Sequence, residues 1–177
     1  MTLENKKHLS DMLVSWIGVI GVITAGVWSI NEYIDNGIKN RTQETLKYVH
    51  IFNSGEMFKA QRNVASRWNK EAGKIKALRE AGDEEALADF VVSVASKEEM
   101  FHDIWLIIDF FESLATCVSQ SLCEKNSALS FFGDRAKRFY LTHYHYIEEV
   151  KELSEDYNYA KKYYEFVAMY YSEKKNL

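Results

Sequence analysis

Hydrophobic and polar positions divide this chain into two regimes. From Met12 to Asn31 the sequence MLVSWIGVIGVITAGVWSIN runs twenty residues without a charge. At 1.5 Å of rise per residue, about 20 helical residues cross the roughly 30 Å hydrocarbon core of a bilayer. Trp16 and Trp28 stand near the ends of the run and Tyr33 lies just beyond, where amphipathic rings prefer the membrane interface. Lys6, Lys7 and Asp11 bound it on one side, Glu32 and Asp35 on the other. The run is longer than the apolar stretch of a signal peptide, and Val27-Trp28-Ser29 is a poor cleavage site because Val and Trp are not small. The pattern predicts one uncleaved transmembrane helix over 12–31, within an N-terminal segment 1–37 whose helix ends at Asn36-Gly37.

Beyond that point apolar residues recur at steps of three and four, the signature of amphipathic helices. Leu46, Val49 and Phe52 share one face, as do Met57, Ala60, Val64 and Trp68. Asn53-x-x-Glu56 and Ser96-x-x-Glu99 have the form of capping boxes, in which two side chains satisfy first-turn amides reciprocally. Gly82 predicts a break, followed by Asp83-Glu84-Glu85 at the start of a short helix carrying Leu87, Phe90, Val91 and Val94. Lys97 to about Gln120 is the strongest segment. Phe101, Ile104, Trp105, Ile108, Phe111, Ala115 and Val118 form one face, which Ile107, Phe110 and Leu114 widen, so this helix belongs at the centre of a bundle. Asn126 or Ser127 can cap the next helix, with Leu129, Phe132, Ala136, Phe139, Tyr140, Ile147 and Val150. A last helix, about 157–172, is rich in tyrosine. The fold class is all-α: one N-terminal transmembrane helix followed by a helical bundle domain over 38–177.

Composition sharpens this reading. Average usage would place about nine prolines in a chain of this length, and the 177 residues contain none. That fits a nearly continuous helical chain, since proline breaks helices and punctuates loops. The mean hydropathy of −0.32 averages the apolar run with a polar-surfaced body. Lys+Arg number 22 and Asp+Glu 26, for a net charge of −4, so the basic footprint of a nucleic-acid binder is missing and no nucleic-acid partner is expected. The two cysteines, Cys117 and Cys123, are too few for a disulfide framework and match no common metal or thioredoxin spacing; a small buried thiol suits Cys117.

Lys6 and Lys7 precede the apolar run while Lys39, Arg41 and Lys47 follow it, a slight bias for a cytoplasmic C-terminal body at the cell (inner) membrane. Within the run Ser15, Gly18, Gly21, Ala25 and Ser29 recur at three- and four-residue steps. Small residues so spaced let helix backbones approach closely in lipid, and they predict self-association.

Ile107-Ile-Asp-Phe-Phe-Glu-Ser-Leu-Ala-Thr-Cys-Val118, then Ala128-Leu-Ser-Phe-Phe-Gly133 and a basic-aromatic segment, resembles a bacterial family catalogued as domain of unknown function 4760. The resemblance implies a short N-terminus, one membrane helix and a helical body containing this helix pair. It rests chiefly on about 45 residues, departs at Phe139-Tyr140 where a Trp-containing pair would stand, and brings no catalytic residues.

Glu99-x-x-His102 places a carboxylate and an imidazole on one helical face, the arrangement of carboxylate-bridged di-iron bundles. Such a site needs a second Glu-x-x-His on a facing helix, and His8, His50, His143 and His145 all lack the glutamate. Glu112, flanked by apolar residues, is expected to bond a buried tyrosine or an arginine such as Arg138. His145 and Glu148 are helical neighbours, whereas His143 and His145 point about 200° apart and cannot chelate one ion together. A pH-sensing role would rest on the histidine pKa near 6.5, raised by a carboxylate. Arg135, Lys137 and Arg138 read as a solvated face or a site for phosphates.

The leading expectation is a non-enzymatic, membrane-anchored interaction or scaffold module that needs no cofactor. Its partners would be the bilayer, further copies of itself and a membrane or cytoplasmic protein. One alternative is a metal-dependent enzyme or metal or pH sensor using Glu99, His102, Glu112 and His145. Another is a membrane-perturbing effector of a bacterial defence system.

Overall fold

The computed structural model describes residues 28, 29 and 31–175, all helix and short connections with no strand among them. Two compact units are present, Met1–Asn40 and Arg41–Leu177. In the first, the described residues are helical, and Trp28 and Tyr33 are exposed, 75% and 82%. Gly37 lies inside helical backbone rather than at its end; its φ is negative, so nothing there reverses the chain. The predicted span over 12–31 falls outside the described residues except for Trp28, Ser29 and Asn31. Among the described residues no helix is long and apolar enough to cross a membrane.

The second unit opens with α1 over 41–52 and continues through α2 Gly55–Ala81, α3 Glu84–Ala95, α4 Glu98–Ser119, α5 Lys125–Ser154 and α6 Lys161–Lys175. Helix α4 packs between α2 and α6 and also touches α3 and α5, while α5 packs against α3 and α6 and α3 closes onto α2, so these helices share one core with α4 at its centre. Ile104, Ile107, Ile108, Phe111 and Leu114 are buried to 1% exposure or less, as expected of a central helix. Phe101 and Trp105 are not: both are about half exposed, 49% and 46%. At 100° per residue the buried arc of α4 covers about 160°, and Phe101 and Trp105 lie about 20° and about 60° beyond one edge of it.

The capping residues differ from those the sequence suggested. The Asn53 side chain donates back to the Val49 carbonyl, and Ser54, the N-cap of α2, makes no side-chain cap. Ser96 ends α3, and the N-cap of α4 is Lys97, which makes no side-chain cap. Helix α5 is capped by Glu124, whose carboxylate accepts from the amides of Asn126 and Ser127. The Glu124 amide in turn donates to the hydroxyl of Thr45, a fully buried threonine that ties α1 to this corner. Gly82 and Asp83 behave as expected: Gly82 is left-handed (φ 70°) and ends α2, and the Asp83 carboxylate accepts from the Ala86 amide. Helix α6 starts only at Lys161, because Glu155 and Ala160 adopt left-handed conformations that turn the chain beforehand.

Cys117 and Cys123 form a disulfide, which corrects the free-thiol reading. Ser121 is left-handed (φ 58°) at the end of α4, so the Leu122 and Cys123 amides fold back onto the Cys117 carbonyl. That reversal brings the two Cα atoms to 5.2 Å, within the range a disulfide bridges.

Candidate functional site

The two segments Phe110-Phe111-Glu112 and Phe131-Phe132-Gly133 together hold α6. A helix start leaves four amides without intrahelical partners. Here the Glu112 carboxylate accepts from the Tyr163 amide at 2.8 Å and supplies the cap that α6 lacks locally. Its partner is therefore backbone; Arg138, the arginine expected there, pairs instead with Asp134 at 2.9 Å. Burial pushes the Glu112 carboxyl above its ordinary pKa, and the Tyr163 amide opposes that shift. Phe111 stacks on the Tyr163 ring, 4.8 Å between centroids and 13° between planes. The Tyr163 hydroxyl donates to the Ala136 carbonyl at 2.6 Å, so this fully buried tyrosine joins α4, α5 and α6.

Glu112→Ala should therefore cost about 1–2 kcal/mol, the usual loss for removing a cap. Glu112→Gln, which keeps an acceptor oxygen and no longer buries a charge, should cost less than half as much. Urea titrations at neutral pH measure both, and equal losses for the two variants would mean that the cap is not what Glu112 supplies.

Among the metal candidates whose side chains are described, His102, Glu112 and His145 are not brought together. His102 on α4 and His145 on α5 are exposed, Glu99 sits in the first turn of α4, and Glu112 is committed to α6. No three His, Cys, Asp or Glu side chains among the described residues come close enough to hold an ion.

A different constellation forms where α2 faces α5. Helix α3 bridges these two helices but has only 12 residues, against 27 in α2 and 30 in α5, and beyond it the seam stays open. The result is a cleft of about 370 Å³, a size typical of small-molecule sites. Its floor is the buried rings of Phe52 and Phe111, its walls are Trp68 and Phe139, and Arg135 and Arg138 stand at its rim. Arg135 lies over the Phe52 ring at 5.3 Å, a cation–π contact. Lys137, its neighbour in the sequence, faces elsewhere, over Tyr171 at 4.7 Å.

His143 lies against this floor, 1% exposed. The Trp68 indole donates to its Nε2 at 3.0 Å. Indole nitrogen can only donate, so Nε2 is unprotonated and Nδ1 carries the hydrogen. That hydrogen goes to the Phe139 carbonyl, 2.9 Å away. Both nitrogens are used, and the ring stacks on Phe139 at 4.1 Å. Burial drives its pKa down to about 4, and the Phe139 carbonyl opposes the shift only in part. His143 is a neutral structural imidazole with no lone pair for a metal or a substrate proton. Trp68 was visible in the sequence as a core position, but its pairing with His143, 75 residues away, had no sequence signal.

Compared with known protein families, curated proteins and solved structures, the chain matches none of them.

Proposed function

We propose that this chain is a single-pass, membrane-anchored helical module that works by binding rather than by catalysis, and that it self-associates. The observation that carries the proposal is the uncharged run from Met12 to Asn31 with its flanking aromatics, long enough for one span. In the body, the two buried or half-buried groups of catalytic type that the sequence singled out have structural bonds, which fits a binding role: Glu112 caps α6 and His143 has both nitrogens bonded.

The orientation follows from weighing two features. The charge bias toward a cytoplasmic body is one side chain, two cations before the run against three after it. The Cys117–Cys123 disulfide favours an oxidising compartment. We place the body on the outer side of the cell membrane, where a covalent bond of this kind persists.

One membrane preparation tests the reading. The full chain should stay in the pellet after alkaline carbonate extraction, and its release would sink the anchor. Crosslinking in the same membranes should give dimers or larger species that Gly21→Leu with Ala25→Leu abolishes; an unchanged ladder removes that face. On spheroplasts, an impermeant maleimide should label the body only after mild reduction. No labelling in either state would put the body inside.

A further inference from the structure

We infer that the α2–α5 cleft is a binding site for a small planar aromatic carboxylate, its ring against the aromatic lining of Phe52, Trp68, Phe111 and Phe139 and its carboxylate on Arg135. The inference deepens the binding reading by naming a site and a ligand class, and it does not depend on the anchor.

The cleft's chemistry is nearly all apolar, with one kind of polar group left to offer. The Trp68 N–H is taken by His143, the Gln61 amide donates to the Phe52 carbonyl, and the Thr142 hydroxyl donates to the Arg138 carbonyl. Arg138 already has Asp134 as its ion-pair partner. Arg135 has no carboxylate partner among the described residues; its contact is the face of Phe52, which leaves the in-plane N–H fork open. A guanidinium fork matches a carboxylate two bonds to two, and such charge-assisted pairs are the strong ones. The site therefore suits a ligand with one anionic end on an otherwise apolar body. The aromatic rings lining the cleft favour an aromatic body over a branched aliphatic one, because rings pack on rings in offset-stacked or edge-to-face pairs. The remaining charge at the rim also limits the ligand: one unpaired guanidinium balances one negative charge, which fits a carboxylate better than a phosphate dianion.

The test uses the full chain in nanodiscs and equilibrium dialysis, with empty nanodiscs subtracted to remove partition into lipid. The probes are 2-naphthoate and its uncharged counterpart 2-naphthylmethanol. Naphthoate should bind saturably, one per chain, and about tenfold or more tighter than the alcohol, the discrimination expected of a hydrogen bond to a charged group. Arg135→Gln should erase that difference while leaving the alcohol where it was. Ala65→Phe, which fills the cleft from an exposed position on α2, should abolish both. Absence of saturable naphthoate binding, equal binding of the two probes, or full binding by either folded variant would overturn the assignment. Membrane retention is read separately, so failure here leaves the anchor proposal standing and failure there leaves this one.

Discussion

Lowering the pH from 6.5 to 4 is expected to remove about 3 kcal/mol of stability through His143 alone. In the unfolded chain this imidazole takes up a proton near pH 6.5, whereas in the folded chain it resists protonation until about 4. Between those values the unfolded state binds more protons, so stability falls as pH falls. Above about 6.5 the contribution is fully present. The cause is burial: a charge there would have no carboxylate, and protonating Nε2 would destroy its acceptance of the Trp68 hydrogen. Glu112 works in the opposite sense, because its raised pKa favours the folded state as the carboxyl becomes protonated. Other carboxylates titrate nearby, so the measurement is a difference. Urea midpoints of the parent and of His143→Gln are followed from pH 7.5 to 4.5. The variant should be less stable at neutral pH and should show a shallower acid slope. Parallel slopes would mean that His143 does not bury its neutrality in the way the structure shows.

Gly133→Leu is expected to cost about 3 kcal/mol, at the upper end for inserting bulk into a packed site. A Cβ on Gly133 would collide with Tyr170 Cδ2 and lie 2.8 Å from its Cγ. Because the clash reaches the base of the ring, a small swing of the Tyr170 tip does not relieve it. Alanine should cost less, since the clash is set against a gain of about 1 kcal/mol in helix propensity over glycine. Tyr170→Ala should restore a large part of what Gly133→Leu loses. Thermal or urea unfolding of the two single variants and the double variant provides the cycle, and additive losses would sink the claim that this contact is the reason for the glycine.

These two cases show what kind of information the sequence carries. The helices were legible because apolar spacing is a property of neighbours three and four apart, and α2 to α5 appear where that spacing places them. Gly82 and Asp83 were legible for the same reason: a left-handed helix end and a first-turn carboxylate act within a few residues. The N-caps expected at Asn53 and Ser96 fall one residue later for a local cause as well, because each residue had a competing use, Asn53 bonding backward to Val49 and Ser96 closing α3. Phe101 and Trp105 failed differently. Periodicity gives the direction of a buried face, while its width depends on how closely α2 and α6 approach α4. The disulfide was hidden because the six-residue spacing means nothing until Ser121 turns left-handed.

The candidate cleft was not legible at all. Trp68, Phe111, Arg135 and His143 come from three helices, and each had an adequate separate reading as core, core, solvated charge and titratable histidine. The sequence by itself determined an all-helical chain without proline, an apolar run of membrane length and the positions of most helices, since all three depend on composition and short-range period. Only the tertiary structure decided that Glu112 caps a helix 51 residues away, that Gly133 exists to admit a ring, and that a short α3 leaves a seam between two long helices. Those outcomes depend on which helix faces meet, and pairing energies between distant faces leave no periodic trace along the chain.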